Sequence, residues 1–218
     1  MRASTGAIER LRIADGSVQY QTINQAPPIG ICRSGILDAL SQLYLAGILD
    51  EGGRIMDNHA RVRTTDGQRE FVLVDEEEQG GQPAITITQR DARELQLAKA
   101  AIRAGIEVLL ETNGCSEEEI EQVIIAGVFG TYIDVASAVA IETLPSLPLS
   151  RFRQGESAAG MGAELALISL SERAKAQAIA SRVKYIELGS APDFEQTFLQ
   201  ASSLGRYPMR AGKRKKMD

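Results

Sequence analysis

The chain has 218 residues, of which 44% are hydrophobic and 24% charged, a globular composition that argues against wholesale disorder. No apolar run approaches the roughly 20 residues that span a bilayer, and the opening MRASTGAIERLRI lacks the apolar core of a secretory signal, so the expectation is a cytoplasmic protein with no membrane partner. The net charge of −5 conceals a body of −10, because the last 13 residues carry six Lys or Arg against one acid; such a body repels nucleic acid, and the tail reads as a solvated terminus.

Cys32 and Cys115 form no CxxC, which excludes a four-cysteine zinc site or a cysteine-held iron-sulfur cluster within the chain. His59 is the only histidine and no GxSxG elbow is present, so serine-triad chemistry is not supported. Carboxylate-held magnesium stays open.

In chain order, residues 7–23 alternate around Asp15-Gly16 and predict a β-hairpin. Pro27 and Pro28 then interrupt regular structure. Gly30 and Gly35 bracket a tight loop, GICRSG, that feeds an amphipathic helix carrying Ile36, Leu37, Leu40, Leu43 and Tyr44 and closed by Gly47. Asp66-Gly67 marks a second hairpin tip, strands are expected at Phe71–Val74 and Ala84–Thr88, and the acidic run 75–78 with Gly80-Gly81 reads as a loop.

A long helix is predicted from about Arg90 to Thr112, with Thr88 and Asp91 at its start and Asn113-Gly114 at its end; Leu95, Ala98, Ile102, Ile106, Leu109 and Leu110 are its apolar face. Ser116 and Glu119 form a capping box. Val123–Ile125 reads as a buried parallel strand ending at Gly127. A helix over 134–142, a strand near Phe152, a helix over 163–181, a last strand at 183–187 and a final helix begun by Ser190 and Asp193 and ended by Gly205 complete an α/β pattern with a substantially parallel sheet.

Three glycine-bearing loops follow extended segments: GICRSG at 30–35, AGVFG at 126–130 and GESAAGMG at 155–162. Ligands of open α/β sheets collect beyond the carboxyl ends of strands, where glycine lets the backbone approach a phosphate or a ring, so the three loops together imply one shared cleft. Neither GxxxxGK[ST] nor a strand-borne GxGxxG is present, which demotes P-loop and Rossmann readings. Ser34 and Ser157 can bind phosphate or cap the helices they precede; Phe129 can stack on a purine or plug the core.

The order MRAxxGAIERLRI, PIGICxSGILDAL, ITQxDxRELQLAKAAIRAGIEVLLE, VIIAGxFGxYID, LPxLPL, AAGMGA and RVxYIELxxxPDF resembles the carboxyl-terminal part of the reductive activators of corrinoid proteins, members of the actin, sugar kinase and heat-shock chaperone ATPase superfamily. The resemblance implies the second lobe of an actin-like, ribonuclease H-like fold, a mixed sheet flanked by helices with an inserted smaller α+β subdomain. The lobe would start at 1–48, the inserted subdomain would occupy 49–115, the lobe would resume at 116–205, and 206–218 would be a basic tail.

It also implies an ATP-driven reduction of cobalt on a corrinoid protein partner, with ATP or ADP and magnesium as ligands and the iron-sulfur region outside this chain. The adenosine loop falls on Gly127, Val128, Phe129 and Gly130, and a loop near the cleft on Gly30, Arg33, Ser34 and Gly35. Lys99 and Arg103, one turn apart, would reach the nucleotide from the outer subdomain, and the interdomain connecting helix would begin near Ala158, Ala159 and Gly160. Val128 and Arg33 stand where the family has glycine, and the superfamily's phosphate hairpins would lie before Met1. The expectation is therefore an adenosine-reading lobe, weakly active or inactive alone, that associates with a missing amino-terminal lobe or with itself. A nucleotide-independent docking module is the alternative, and a small-molecule kinase a remoter one.

Overall fold

The computed structural model describes residues 1–14, 16–127, 132–155 and 157–205. Asp15 of the first hairpin tip, Val128, Phe129 and Gly130 of the adenosine loop and the basic tail from Arg206 lie outside the described residues.

Strands β1 (Ala7–Ala14) and β2 (Ser17–Thr22) pair antiparallel, with Leu11 opposite Tyr20 and Ile13 opposite Val18, and Gly16 takes the positive φ of +73° at the turn. The expected glycine loop is largely regular structure. Gly30–Ile31 is a short strand, β3, parallel to Ala7–Ile8, and helix α1 (Arg33–Leu45) begins before Gly35. The first sheet has the order β2-β1-β3. Gly47, at φ +68°, follows α1 and donates to Tyr44 O, as the chain's glycine pattern predicts.

β4 (Val62–Thr65), β5 (Gln68–Val74) and β6 (Ile85–Thr88) form a second, antiparallel sheet, with Asp66 and Gly67 both at positive φ in the tight turn. Helix α2 (Gln89–Asn113) starts at a complete capping box of Thr88 and Asp91 and stops at Gly114, whose φ is +65°. Its buried face differs from the expected one. Gln96, Lys99 and Arg103 are buried with Ala92, Ala100, Ala104 and Val108, whereas Ala98, Ile102 and Leu109 are exposed. The cause is the helix it meets: α6 (Phe194–Ala201) lies against α2, the alanines allow close approach, and Gln96 and Lys99 take carbonyl groups at the end of α6.

β7 (Val123–Ile125) and β8 (Phe152–Gln154) run parallel in a two-stranded sheet. Ile124 is 67% exposed, so the apolar run is not buried as expected: a two-stranded sheet has no layer over this face among the described residues. Helix α3 (Val135–Ala140) is N-capped by Asp134, which accepts from Ser137 N. The helix expected over 163–181 is two helices, α4 (Ala158–Ile168) and α5 (Leu170–Ala180), because Ser169 leaves helical φ/ψ and accepts from Glu172 N as the cap of the second. Residues 183–187 carry no strand ladder. Asp193 precedes α6 in a left-handed conformation, and α6 stops at Ala201, short of Gly205.

The main core joins Ile8 and Leu11 of β1, Leu40 and Leu43 of α1, Phe71 and Leu73 of β5, Ile87 of β6, and Ile133, Ile141 and Leu204, so one apolar cluster runs across the segments between which the sequence draws boundaries. Among the described residues no helix is long and apolar enough to cross a membrane.

Candidate nucleotide site

Two of the three glycine loops meet at one end of the β7–β8 sheet. Parallel pairing places Ile125 beside Gln154, and Gly155 N donates to Ile125 O at 2.9 Å, so the chain leaves both strands side by side at their carboxyl ends. Gln154 Nε2 then donates to Ile133 O at 2.8 Å, tying the far end of the loop after β7 back to β8. Gly127 has φ +93°, which side chains rarely adopt, and a Cβ placed there or on Gly155 would meet no atom within 4 Å. Among the described residues, then, β7 and β8 end side by side and no atom stands within 4 Å of a Cβ added to either glycine, at the carboxyl edge where ligands of parallel sheets collect. Ser157 Oγ accepts from Gly160 N at 3.3 Å, so it caps α4.

GICRSG is built differently. A Cβ on Gly35 would fall 2.1 Å from Ile8 O, and Cys32 N donates to that same carbonyl at 3.1 Å, so Gly35 is the place where α1 sits down on β1. Ser34 is buried and shares a hydrogen bond with Cys32 Sγ rather than capping the helix. Gly30 lies in β3. Arg33 alone of the four is exposed, on the first residue of α1, where a cation meets the positive end of the helix dipole and an anion would be welcome. Of the three loops, GICRSG is thus the one whose glycine seats a helix on a strand, with Arg33 as its exposed member.

Lys99 and Arg103 share a face, as expected, but turn inward. Lys99 is 2% exposed and its Nζ donates to Ala201 O at 2.8 Å and to Ser203 O; burial pushes its amine down to about 8, Glu142 opposing and Arg103 adding to the effect. Gln96 Nε2 takes the intervening Ser202 O at 3.0 Å, so three successive carbonyls at the end of α6 are bound from α2. Arg103, 3% exposed, pairs with Glu107 and Glu117. Both cations are buried and hold internal partners in this structure.

Asp38 is a buried residue that the sequence reading missed. Its Oδ2 accepts from Leu11 N at 2.7 Å and its Oδ1 from Ser137 Oγ. One turn along α1, Gln42 Oε1 accepts from Ile13 N at 3.2 Å, so the two side chains close the edge of β1 beyond β3. A carboxylate among Leu37, Leu40 and Leu43 on an otherwise apolar face was the available signal. A cavity of about 420 Å³ lies beside this group, lined among others by Arg10, Arg12, Asp134 and Ser137, and holds none of the sequence-predicted site residues.

The sheets and their flanking helices form an α/β lobe of the actin-like, ribonuclease H-like class. Residues 1–214 match the family described as the C-terminal domain of RACo, the ASKHA domain, and the chain belongs to that family, the corrinoid reductive activators. The corrinoid activation enzyme RamQ of Eubacterium limosum is 36% identical over 214 residues, covering 94% of this chain and 36% of RamQ. A solved structure of a reductive activator for corrinoid, iron-sulfur protein matches with a TM-score of 0.85 at 39% identity, covering 94% of this chain and 33% of that one. The chain thus spans about a third of the length of these relatives.

Proposed function

We propose that this chain is the nucleotide-binding lobe of an ATP-dependent reductive activator of corrinoid proteins. The observation that carries the reading is that β7 and β8 end side by side, Gly155 N on Ile125 O, in a chain of this family. Adenosine is read by the loop that carries Gly127, Val128, Phe129 and Gly130, with Gly127 leaving room for the ring. The phosphates and their magnesium are held chiefly by segments of the full-length activator beyond this third of it. Turnover depends on positioning phosphate, metal and water together, so this chain alone binds nucleotide without appreciable hydrolysis.

In the full activator, ATP drives electrons toward oxidised cobalt on a corrinoid protein, and this lobe reports nucleotide state to that partner. The likeness to RamQ, a corrinoid activation enzyme, and to a reductive activator for corrinoid, iron-sulfur protein supports a corrinoid partner. The test is to measure ATPase turnover of this chain and of a chimera carrying the upstream two thirds of RamQ. Turnover confined to the chimera supports the reading, and equal turnover in both contradicts it.

A second reading, docking without nucleotide, is favoured by α4 and α5. Neither helix has a buried residue, they pack chiefly on each other, and Leu167, Ile168 and Leu170 are exposed by 77%, 80% and 81%. Capture of a purified corrinoid protein that ignores added ATP would favour this reading over the first.

A further inference from the structure

Segment 132–140 leaves the candidate nucleotide loop and enters α3, and three independent contacts fix it. Gln154 Nε2 holds Ile133 O, Asp134 caps Ser137 N at 2.7 Å, and the Ser137 hydroxyl donates to Asp38 on α1. Asp38 is 5% exposed and Ser137 4%, so the last contact is buried. Asp38 holds Leu11 N of β1 at the same time. One carboxylate therefore spans β1, α1 and α3, and both its oxygens are used.

A buried carboxylate is costly unless each oxygen is hydrogen-bonded, and a leucine at this place would serve packing better. What Asp38 adds is direction: it accepts from a fixed backbone N–H on one side and a fixed hydroxyl on the other, which sets the height of α3 on the first sheet. Ser137 stands ten residues beyond Gly127 in sequence. The position of α3 thus fixes where the loop after β7 must end.

We infer that Asp38 is a positioning residue for the nucleotide loop, acting through the Ser137 hydroxyl on the entry to α3. It touches no ligand. The inference rests on the nucleotide reading above, so its test has one arm that needs no nucleotide.

In that arm, amide hydrogen exchange is measured on the whole chain for wild type, Ser137→Ala, Asp38→Asn and Asp38→Ala, beside urea midpoints. Ser137→Ala leaves one buried Asp38 oxygen without its donor while Leu11 N still holds the other, so its urea midpoint falls and exchange rises most over 132–140, about fivefold more there than over β4–β6. Asp38→Asn keeps both contacts, its oxygen facing Leu11 N and its amide donating to Ser137 Oγ, and restores wild-type exchange; Asp38→Ala does not. In the second arm, magnesium-ADP affinity falls about tenfold in Ser137→Ala and less than about threefold in Asp38→Asn.

Unchanged exchange over 132–140 in Ser137→Ala overturns the inference. So does a fall in its urea midpoint with exchange rising evenly through all elements, which would make the contact merely structural. Failure of wild type to bind ADP removes the nucleotide reading, and the exchange arm still decides whether Asp38 positions α3.

Discussion

Gly35→Ala separates a glycine that seats a helix from one that lines a ligand loop. The added Cβ would lie 2.1 Å from Ile8 O, 2.9 Å from Ile8 C and 3.1 Å from Ile31 Cγ2, and the first two are backbone atoms that no rotamer change can move aside. Relief requires α1 to retreat from β1 by about 1 Å, since Cβ contacts below 3.0 Å essentially never occur. That retreat stretches Cys32 N to Ile8 O at 3.1 Å, Leu11 N to Asp38 at 2.7 Å and Ile13 N to Gln42 at 3.2 Å. Losing most of three such bonds at about 1 kcal/mol each, with overpacking of about 1–3 kcal/mol, is offset by about 1 kcal/mol of gained helix propensity. The net expectation is about 3 kcal/mol of destabilisation, which for a chain of this size lowers Tm by about 6–12 °C.

Gly47→Ala is the control, because Gly47 has φ +68° but nothing within 4 Å of a new Cβ. Backbone conformation alone should cost it about 1 kcal/mol. Urea denaturation followed by far-ultraviolet circular dichroism measures both. A Gly35→Ala midpoint equal to wild type, or higher than that of Gly47→Ala, would refute the seating argument.

Lys99→Met keeps the aliphatic stem but leaves Ala201 O and Ser203 O without their donor; the lost charge-assisted bonds outweigh the relief of ammonium desolvation by about 2 kcal/mol, with faster amide exchange over Phe194–Ala201 as the local sign. The same residue sets a pH signature. Unfolded, its amine keeps the proton to its ordinary 10.5, and folded it releases it at about 8, so the unfolded state binds more protons between these values and wild type gains stability relative to Lys99→Met as pH rises from 8 to 10.5. A difference that is flat or of opposite slope would contradict the burial of Lys99. Glu70 behaves in the opposite range. Desolvation raises its pKa, yet hydrogen bonds from Arg63, Thr65 and Thr86 hold it below the ordinary 4.5, so its contribution is present above 4.5 and lost as pH falls through the folded value; in acid titrations followed by thermal melting, the advantage of wild type over Glu70→Gln should shrink across that fall.

Local chemistry was legible where it is self-contained. Gly16, Asp66-Gly67, the Thr88–Asp91 box and Gly114 each act within a few residues, and each lies in the structure where the sequence puts it. The misreadings have a common cause in partners distant along the chain. Nothing near Lys99 announces that three carbonyls about 100 residues away will close over α2, so the apolar residues were given its buried face. Residues 183–187 have strand character, but a strand exists only with a neighbour to pair with. The break at Ser169 could have been read, since Ser169 and Glu172 have the spacing of a capping box within one periodic stretch. The strands that precede the glycine segments at 126 and 155 were legible from their short apolar or extended runs. Gly35 was not: a helical glycine pressed on a neighbouring carbonyl and a glycine in a ligand loop look alike in sequence. The Asp38–Ser137 contact joins residues 99 apart, and only the misplaced carboxylate hinted at it.

The most direct test of the nucleotide reading is calorimetric titration of magnesium-ATP and magnesium-ADP into this chain, with Phe129→Ala and Val128→Gly alongside. The account predicts that both nucleotides bind with similar affinity, because the adenosine is what this lobe reads, that Phe129→Ala weakens both, and that Val128→Gly strengthens both. Absence of binding in wild type and in Val128→Gly alike would contradict it.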